Sequence, residues 1–149
     1  MKKILIGTDG SEAARAAIDA GLELATEDDA EVVFAHVTSL LEFAPEANGS
    51  EAPERLPRAE TDAILCEAVE RAHAVGIEPT TELLIGYAPK QILCLARDID
   101  VDLIVIGSRG LGRIKSAVLG STSREVLAKA DRPVMVVRES GVRELMETQ

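Results

Sequence analysis

The residues best equipped for chemistry in this chain sit in one run, "GSRGLGRIKSAVLGSTS", Gly107 to Ser123. Four of the eleven glycines fall between Gly107 and Gly120, directly after the apolar "DLIVI". Glycine costs conformational entropy and is used where the backbone must turn sharply or let another group come close. Gly107 and Gly110 can present successive backbone N–H groups as a nest for an anion. Gly120, Ser121, Thr122 and Ser123 stand where a helix would begin, and a helix N-terminus offers unpaired donors and a partial positive charge. The hydroxyls add donors, and Arg109 can neutralise charge at the rim. This chemistry suits phosphate. A second such stretch, "GTDGSE" from Gly7 to Glu12, follows the first apolar run. Its Asp9 suits ribose hydroxyls or a metal that bridges phosphates. The plainer reading of Asp9 is a turn or helix-capping carboxylate.

Familiar phosphate patterns fail on these residues. Gly107 to Gly112 has the spacing of a Walker loop, but Arg113 and Ile114 stand where Lys and Ser or Thr are required. The dinucleotide pattern meets Lys115 in place of its third glycine and lies after the wrong strand. A phosphoacceptor domain would want an Asp at the end of the third strand, where Ile85 and Gly86 stand. No residue makes a convincing general base. Asp9 would be occupied by ribose or metal, and Glu12 sits just inside a helix. His36, within a strand, reads as a satisfied structural imidazole, and His73 as a solvent-facing helical residue. Cys66 and Cys94 form no CxxC pair and read as small buried hydrophobes in helices.

Strands and helices alternate around these stretches. Residues 2–8, 31–37, 80–86, 101–107 and 133–139 are short aliphatic runs, read as strands. Residues 11–28, 59–76, 88–99 and 121–130 carry helical periodicity. In the first helix Ala13, Ala14, Ala17, Ile18, Gly21, Leu22 and Ala25 share one stripe, with Ser11 as N-cap. In the second, Ile64, Leu65, Ala68, Val69, Ala72 and Val75 form the buried side. Near-continuous apolar strands between helices imply an α/β fold: an open five-stranded parallel sheet, Rossmann-like, covered on both faces. Ligands in such sheets bind beyond the carboxyl ends of the strands, where strand order reverses. In the common order 3-2-1-4-5, the first and fourth strands are neighbours there. The loops carrying Asp9 and the glycine-rich run then face each other.

The 149 residues suit one domain, read as residues 1–149. A net charge of −10 with no basic block, and only 2 % aromatics, argue against nucleic acid. No run is long enough to span a membrane. The opening "MKKILIGTDGSE" breaks at Gly7 and Asp9, too early for a secretion signal, so the reading is cytoplasmic. Residues 38–58 hold three of the six prolines and read as a variable loop. Leu40, Leu41 and Phe43 would make it a lid or contact surface; an unstructured middle is the alternative. The tail, 139–149, places Val142, Leu145 and Met146 on one helical face. It reads as a frayed end or, more sharply, as a partner contact.

One spacing fits throughout: G-x2-G-x9-G-[ST], as Gly107, Gly110, Gly120 and Ser121. With this motif in its strand–helix context, the chain resembles the ATP-binding branch of the universal stress protein family. "ILIGTDGSEAARAAID", "FAHV", "DLIVIGSRG", "VLGSTSREVL" and "RPVMVVR" carry the resemblance over most of residues 2–138. It implies a nucleotide-responsive regulatory module that binds ATP, or AMP or ADP, with Mg2+. Asp9, flanked by Gly7 and Thr8, would hold ribose or metal, and the backbone of Val37 would meet adenine. Gly107, Gly110, Gly120 and Ser121, with Arg109, Thr122 and Ser123 adjacent, would hold phosphates. The resemblance also implies a homodimer through the last strand, Val134, Met135, Val136 and Val137, which fits the need to cover an apolar edge. A slow ATPase or nucleotide-dependent transferase is the alternative, and a nucleotide-free interaction module a weaker one.

Overall fold

A computed structural model of the chain describes residues 1–38, 51–109, 119–139 and 143–146, the last four as backbone only. The parallel strands are β1 (Lys3–Gly7), β2 (Glu31–Thr38), β3 (Thr80–Ile85), β4 (Leu103–Gly107) and β5 (Val134–Val137). The helices are α1 (Glu12–Asp28), α2 (Ala63–Ala74), α3 (Ala88–Asp98) and α4 (Ser121–Lys129). The parallel strands take the expected order, β3-β2-β1-β4-β5. A sixth, β6 (Arg143–Met146), adds antiparallel to β5. Leu40, Leu41 and Phe43 of the variable loop, together with Val142, lie outside the described residues.

Alternation along the strands divides the core in two. Ile4, Ile6, Val32, Phe34, Leu103, Val105, Met135 and Val137 pack on α1 and α2. Leu5, Val33, Ala35, Leu84, Ile104, Ile106, Val134 and Val136 face the side of α3 and α4. Without large aromatics, both layers are built from aliphatic side chains and small helical residues. Every residue of the expected α1 stripe is buried.

Two sequence expectations need correction. The second helix is not continuous from residue 59. A single 3-10 turn spans Ala59–Thr61, and α2 starts afresh after Asp62, whose carboxylate accepts the Leu65 N–H at 2.9 Å. An N-cap carboxylate satisfies a donor that a continuing helix would have used, so the helix begins there. Only Leu65, Ala68 and Ala72 of the expected face are buried, and Val75, past the end of α2, is 52 % exposed. The tail is the second correction. Arg143–Met146 forms a strand, not a helical face or a frayed end, with Met135 opposite Leu145 and Val136 opposite Glu144. The open side of β5 carries a row of backbone donors and acceptors, and a nearby segment of its own chain satisfies them. Cys94 is buried as expected, while Cys66 is half-buried; both are free thiols.

The β3 edge is closed in a similar way. The Leu56 N–H donates to the Leu83 carbonyl at 2.7 Å, and the Ile85 N–H to the Glu54 carbonyl at 3.0 Å. Arg55 lies opposite Leu84 in an antiparallel bridge.

Candidate functional site

Strand order reverses between β1 and β4, so the loops that follow these two strands leave the sheet side by side. The first is tied down by its own short side chains. The Thr8 N–H donates to the Ala35 carbonyl at 2.9 Å, and Thr8 Oγ1 accepts the Gly10 N–H at 3.2 Å. Asp9 Oδ1 accepts the Ser11 N–H at 2.9 Å, the geometry of an Asx turn. Gly10 has φ of +82°, and a Cβ there would lie 3.2 Å from Ile64 Cγ1 of α2. Both conditions favour glycine. Ser11 Oγ accepts the Ala14 N–H at 3.1 Å and caps α1.

The second loop hangs from Ser108. Its N–H donates to the Val137 carbonyl at 2.8 Å. Its carbonyl accepts both the Gly120 N–H at 2.7 Å and the Ser123 hydroxyl at 3.0 Å. The end of β4 and the start of α4 are thereby joined at one carbonyl. Ser123 also reaches the Gly120 carbonyl at 3.1 Å and is buried, so its hydroxyl secures the loop's mouth. Ser121 is exposed and Thr122 half-buried in the first turn of α4. Gly120 caps α4 with extended backbone and no side-chain acceptor, so the N–H groups of that turn have no side-chain cap. Gly110 lies outside the described residues, as do Gly112 and Lys115.

The two loops touch. Ser11 Oγ lies 3.4 Å from the Arg109 carbonyl, a long hydrogen bond across 98 residues of sequence. Gly107 also has a packing role: a Cβ there would stand 2.7 Å from the carbonyl carbon of Ala13. No real side chain tolerates that approach, so glycine lets α1 lie against the end of β4. Arg109 is 14 % exposed, and its guanidinium donates to Glu139 at 2.9 Å. The rim charge expected to meet an anion is therefore held by a carboxylate just beyond β5.

β1 ends opposite Ala35, so β2 continues through Val37 to Thr38 past the reach of the β1 ladder. Val37 packs its side chain on the α3-side core. Its neighbour His36 turns to the other face and meets Asp62 at 3.1 Å, joining β2 to the cap of α2. His73 is exposed and meets Glu78, as its helical position implied. At the start of α3, Tyr87 donates to Glu125 of α4. That bond, aided by Lys129, holds the Glu125 carboxyl below the usual carboxylate range.

The structure thus gathers Gly7, Thr8, Asp9, Gly107, Arg109, Gly120, Ser121, Thr122 and Ser123 at the switch, with Val37 beside them. Sequence reasoning missed the bridging role of Ser11, the anchor at Ser108, and Glu139. Capping identified Ser11 as a helix start, but its second partner is tertiary. Nothing in the sequence signalled Glu139. Among the described residues, no three or more His, Cys, Asp or Glu side chains are grouped to hold a metal ion. No helix among them is long and apolar enough to cross a membrane.

These features define an open α/β protein in which two loops meet at the topological switch, beside the start of α4. The chain belongs to the universal stress protein family, whose family model matches residues 1–138. It is 35 % identical to universal stress protein YxiE of Bacillus subtilis, over 91 % of this chain and 98 % of that one. It is 32 % identical to universal stress protein MJ0531 of Methanocaldococcus jannaschii, over 93 % of this chain and 82 % of that one. The fold superposes on the solved MJ0577 from the same organism with a TM-score of 0.73 and 29 % identity, covering 92 % and 95 % of the two chains. It also superposes on a universal stress protein crystallised in complex with cAMP, with a TM-score of 0.69, 27 % identity and coverage of 93 % and 97 %.

Proposed function

We propose that this protein binds an adenine nucleotide, ATP or its di- or monophosphate with Mg2+, and acts as a nucleotide-responsive stress-response module of the cytoplasm. The observation that carries this reading is the contact of Ser11 with the Arg109 carbonyl. It puts the carboxylate loop and the phosphate-suited loop in one crevice, beside an uncapped helix N-terminus. Asp9 spends one oxygen on its own turn. Among the described residues its other oxygen has no partner, which fits a ribose hydroxyl or a metal. Phosphates would lie against the first turn of α4 and the residues after Gly107, and adenine against the backbone of Val37. Mg2+ would be held by phosphate oxygens, with Asp9 as the protein ligand nearest them. The relative solved with cAMP supports an adenine ligand over other anions.

Pairing of two copies through Val134–Val137 belongs to the same reading. In the single chain that edge carries β6, so pairing there requires β6 to leave.

Slow hydrolysis or group transfer is the second reading. Phosphoryl transfer needs a group that orients the nucleophile as well as positioning and charge neutralisation. The described crevice offers no such group beyond Asp9. A nucleotide-free interaction module is the third.

Calorimetric titration of nucleotide-stripped protein with ATP and Mg2+ tests the reading, with Asp9→Asn in parallel. Asn keeps the turn acceptor and removes the charge. Micromolar binding, weakened about 10- to 100-fold in Asp9→Asn, is expected, since a hydrogen bond to a charged group contributes about 1.5–3 kcal/mol. Absence of any binding by the wild type selects the nucleotide-free module. Turnover that disappears in Asp9→Asn selects the enzyme.

A further inference from the structure

β5 is a four-residue strand whose side chains are all buried, and its open side is filled by β6. Only residues 138–142 connect the two strands. β6 runs antiparallel to β5. A second β5 related by a two-fold axis would run in that same direction, because a symmetric pair of identical strands is antiparallel. The tail strand and a second copy therefore compete for one row of backbone donors and acceptors.

The connection is also attached to the crevice. Glu139, two residues beyond β5, accepts from the Arg109 guanidinium at 2.9 Å. Arg109 directly follows Ser108, whose carbonyl holds the start of α4. A phosphate at that loop would compete with the Glu139 carboxylate for Arg109, and its charge would repel Glu139. We propose that residues 143–146 are an internal cap on the edge where a second copy pairs, and that the Arg109–Glu139 pair ties release of this cap to phosphate binding. The second half rests on the nucleotide binding proposed above, and the first half on the pairing through Val134–Val137 proposed with it.

Competition favours the cap strongly. A segment on a short connection acts at an effective concentration of about millimolar, so at about 10 µM protein it outcompetes an equally good second copy by about 100-fold. The free protein is then a monomer with β6 in place, and loss of β6 raises association by about that factor.

The test measures the mass of the full chain by sedimentation at about 10 µM, with and without ATP and Mg2+. The variants are Glu139→Gln and the double substitution Glu144→Pro with Leu145→Pro. Successive N–H groups of a strand point to opposite sides, so one of the two prolines removes a donor to β5 whichever register face it occupies. The wild type is expected to be monomeric alone and to shift toward dimer with nucleotide. The double-proline variant is expected to dimerise without nucleotide, and Glu139→Gln to bind nucleotide a few-fold more tightly. Hydrogen exchange at residues 143–146 should be slow in the monomer and fast in the dimer. A double-proline variant that folds and stays monomeric overturns the cap, as does a dimer that keeps these amides protected. Glu139→Gln, which touches no core, keeps the test open if the proline variant fails to fold: unchanged nucleotide affinity and unchanged mass overturn the link. Calorimetry on the same samples separates the two readings. A wild type that binds no nucleotide removes the link together with the nucleotide reading, and the double-proline result alone then decides the cap. Binding without any change in mass leaves the nucleotide reading intact and overturns the link.

Discussion

At one edge of the sheet, residues 54–56 lie antiparallel to β3; at the other, residues 143–146 lie antiparallel to β5. Both segments satisfy backbone groups that would otherwise template pairing with another chain. They are secured differently. The cover on β3 is fastened by side chains from two elements. Gln91 of α3, 3 % exposed, accepts the Glu54 N–H at 2.6 Å, and Arg55 reaches Glu82 of β3 and Asp98 of α3. The cover on β5 follows a short connection whose described tie, Arg109–Glu139, leads to the proposed nucleotide site. One edge is fixed to the scaffold, and the other is connected to a group that the proposed ligand would claim. The difference lies in what each cover is bonded to, since both use the same backbone pairing.

The comparison breaks most visibly at Gln91. Gln91→Leu keeps the volume but leaves the part-buried Glu54 N–H without its acceptor. A donor left unmade costs about 1–3 kcal/mol where water is kept out, so at this partly shielded site denaturant unfolding should show a loss in the lower half of that range. Hydrogen exchange should quicken at Leu56 and Ile85, while the mass of the protein stays unchanged. A stability equal to wild type would show that the β3 cover is held by backbone pairing alone. The double-proline variant of β6 should have a smaller effect on stability, about 1 kcal/mol for one backbone hydrogen bond at a sheet edge. The contrast predicts that the costlier change leaves association alone and the cheaper one alters it.

Which parts of this were legible in the sequence follows from what holds them. Buried parallel strands are apolar on both faces, so "ILIG", "VVFA" and "LIVI" identify themselves, and their alternation with helices gives the fold class. The expected strand order is the observed one. Gly107 and Gly120 were legible as a spacing, yet the structure gives Gly107 a second reason, the close approach of Ala13, that no spacing reveals. The two edge covers were illegible. "ERL" and "RELM" pair through the backbone, which is the same for every residue, and carry no alternation to mark a strand. The tail's Leu145 and Met146 also fit a helical period, so periodicity alone points to a helix there. Asp62 fits the interior of a helix because capping is a local competition that periodicity does not see. Ser11 and Glu139 gain their roles from partners 98 and 30 residues away.

A smaller effect is expected at Arg55. Its side chain is 41 % exposed, so its pairs with Glu82 and Asp98 are screened. Arg55→Ala should cost under about 1 kcal/mol, and the difference from wild type should shrink as salt is raised. Were it to cost as much as Gln91→Leu, the fastening of the β3 cover would be ionic instead of resting on the buried amide.

The smallest effect serves as the reference between the two edges. At the amino ends of β1 and β4, Asp102 accepts the N–H groups of Lys2 and Lys3 at 2.7 and 3.0 Å. These bonds hold its carboxyl below the usual carboxylate range. A carboxyl whose folded pKa is depressed stabilises the fold above its unfolded value of about 3.9, and that contribution is lost as pH falls through the folded pKa. Asp102 is near the surface, so Asp102→Asn should cost well under about 1 kcal/mol at neutral pH. The gap between variant and wild type should close in acid. Because Asp102 joins the two central strands, its pH dependence should persist unchanged in the Gln91→Leu and double-proline backgrounds. Additivity is expected for sites without shared partners. If the Asp102 contribution instead vanished with β6 disrupted, the β5 edge would be coupled to the centre of the sheet itself, and the route through Arg109 and Glu139 would no longer be the one by which that edge communicates with the rest of the molecule.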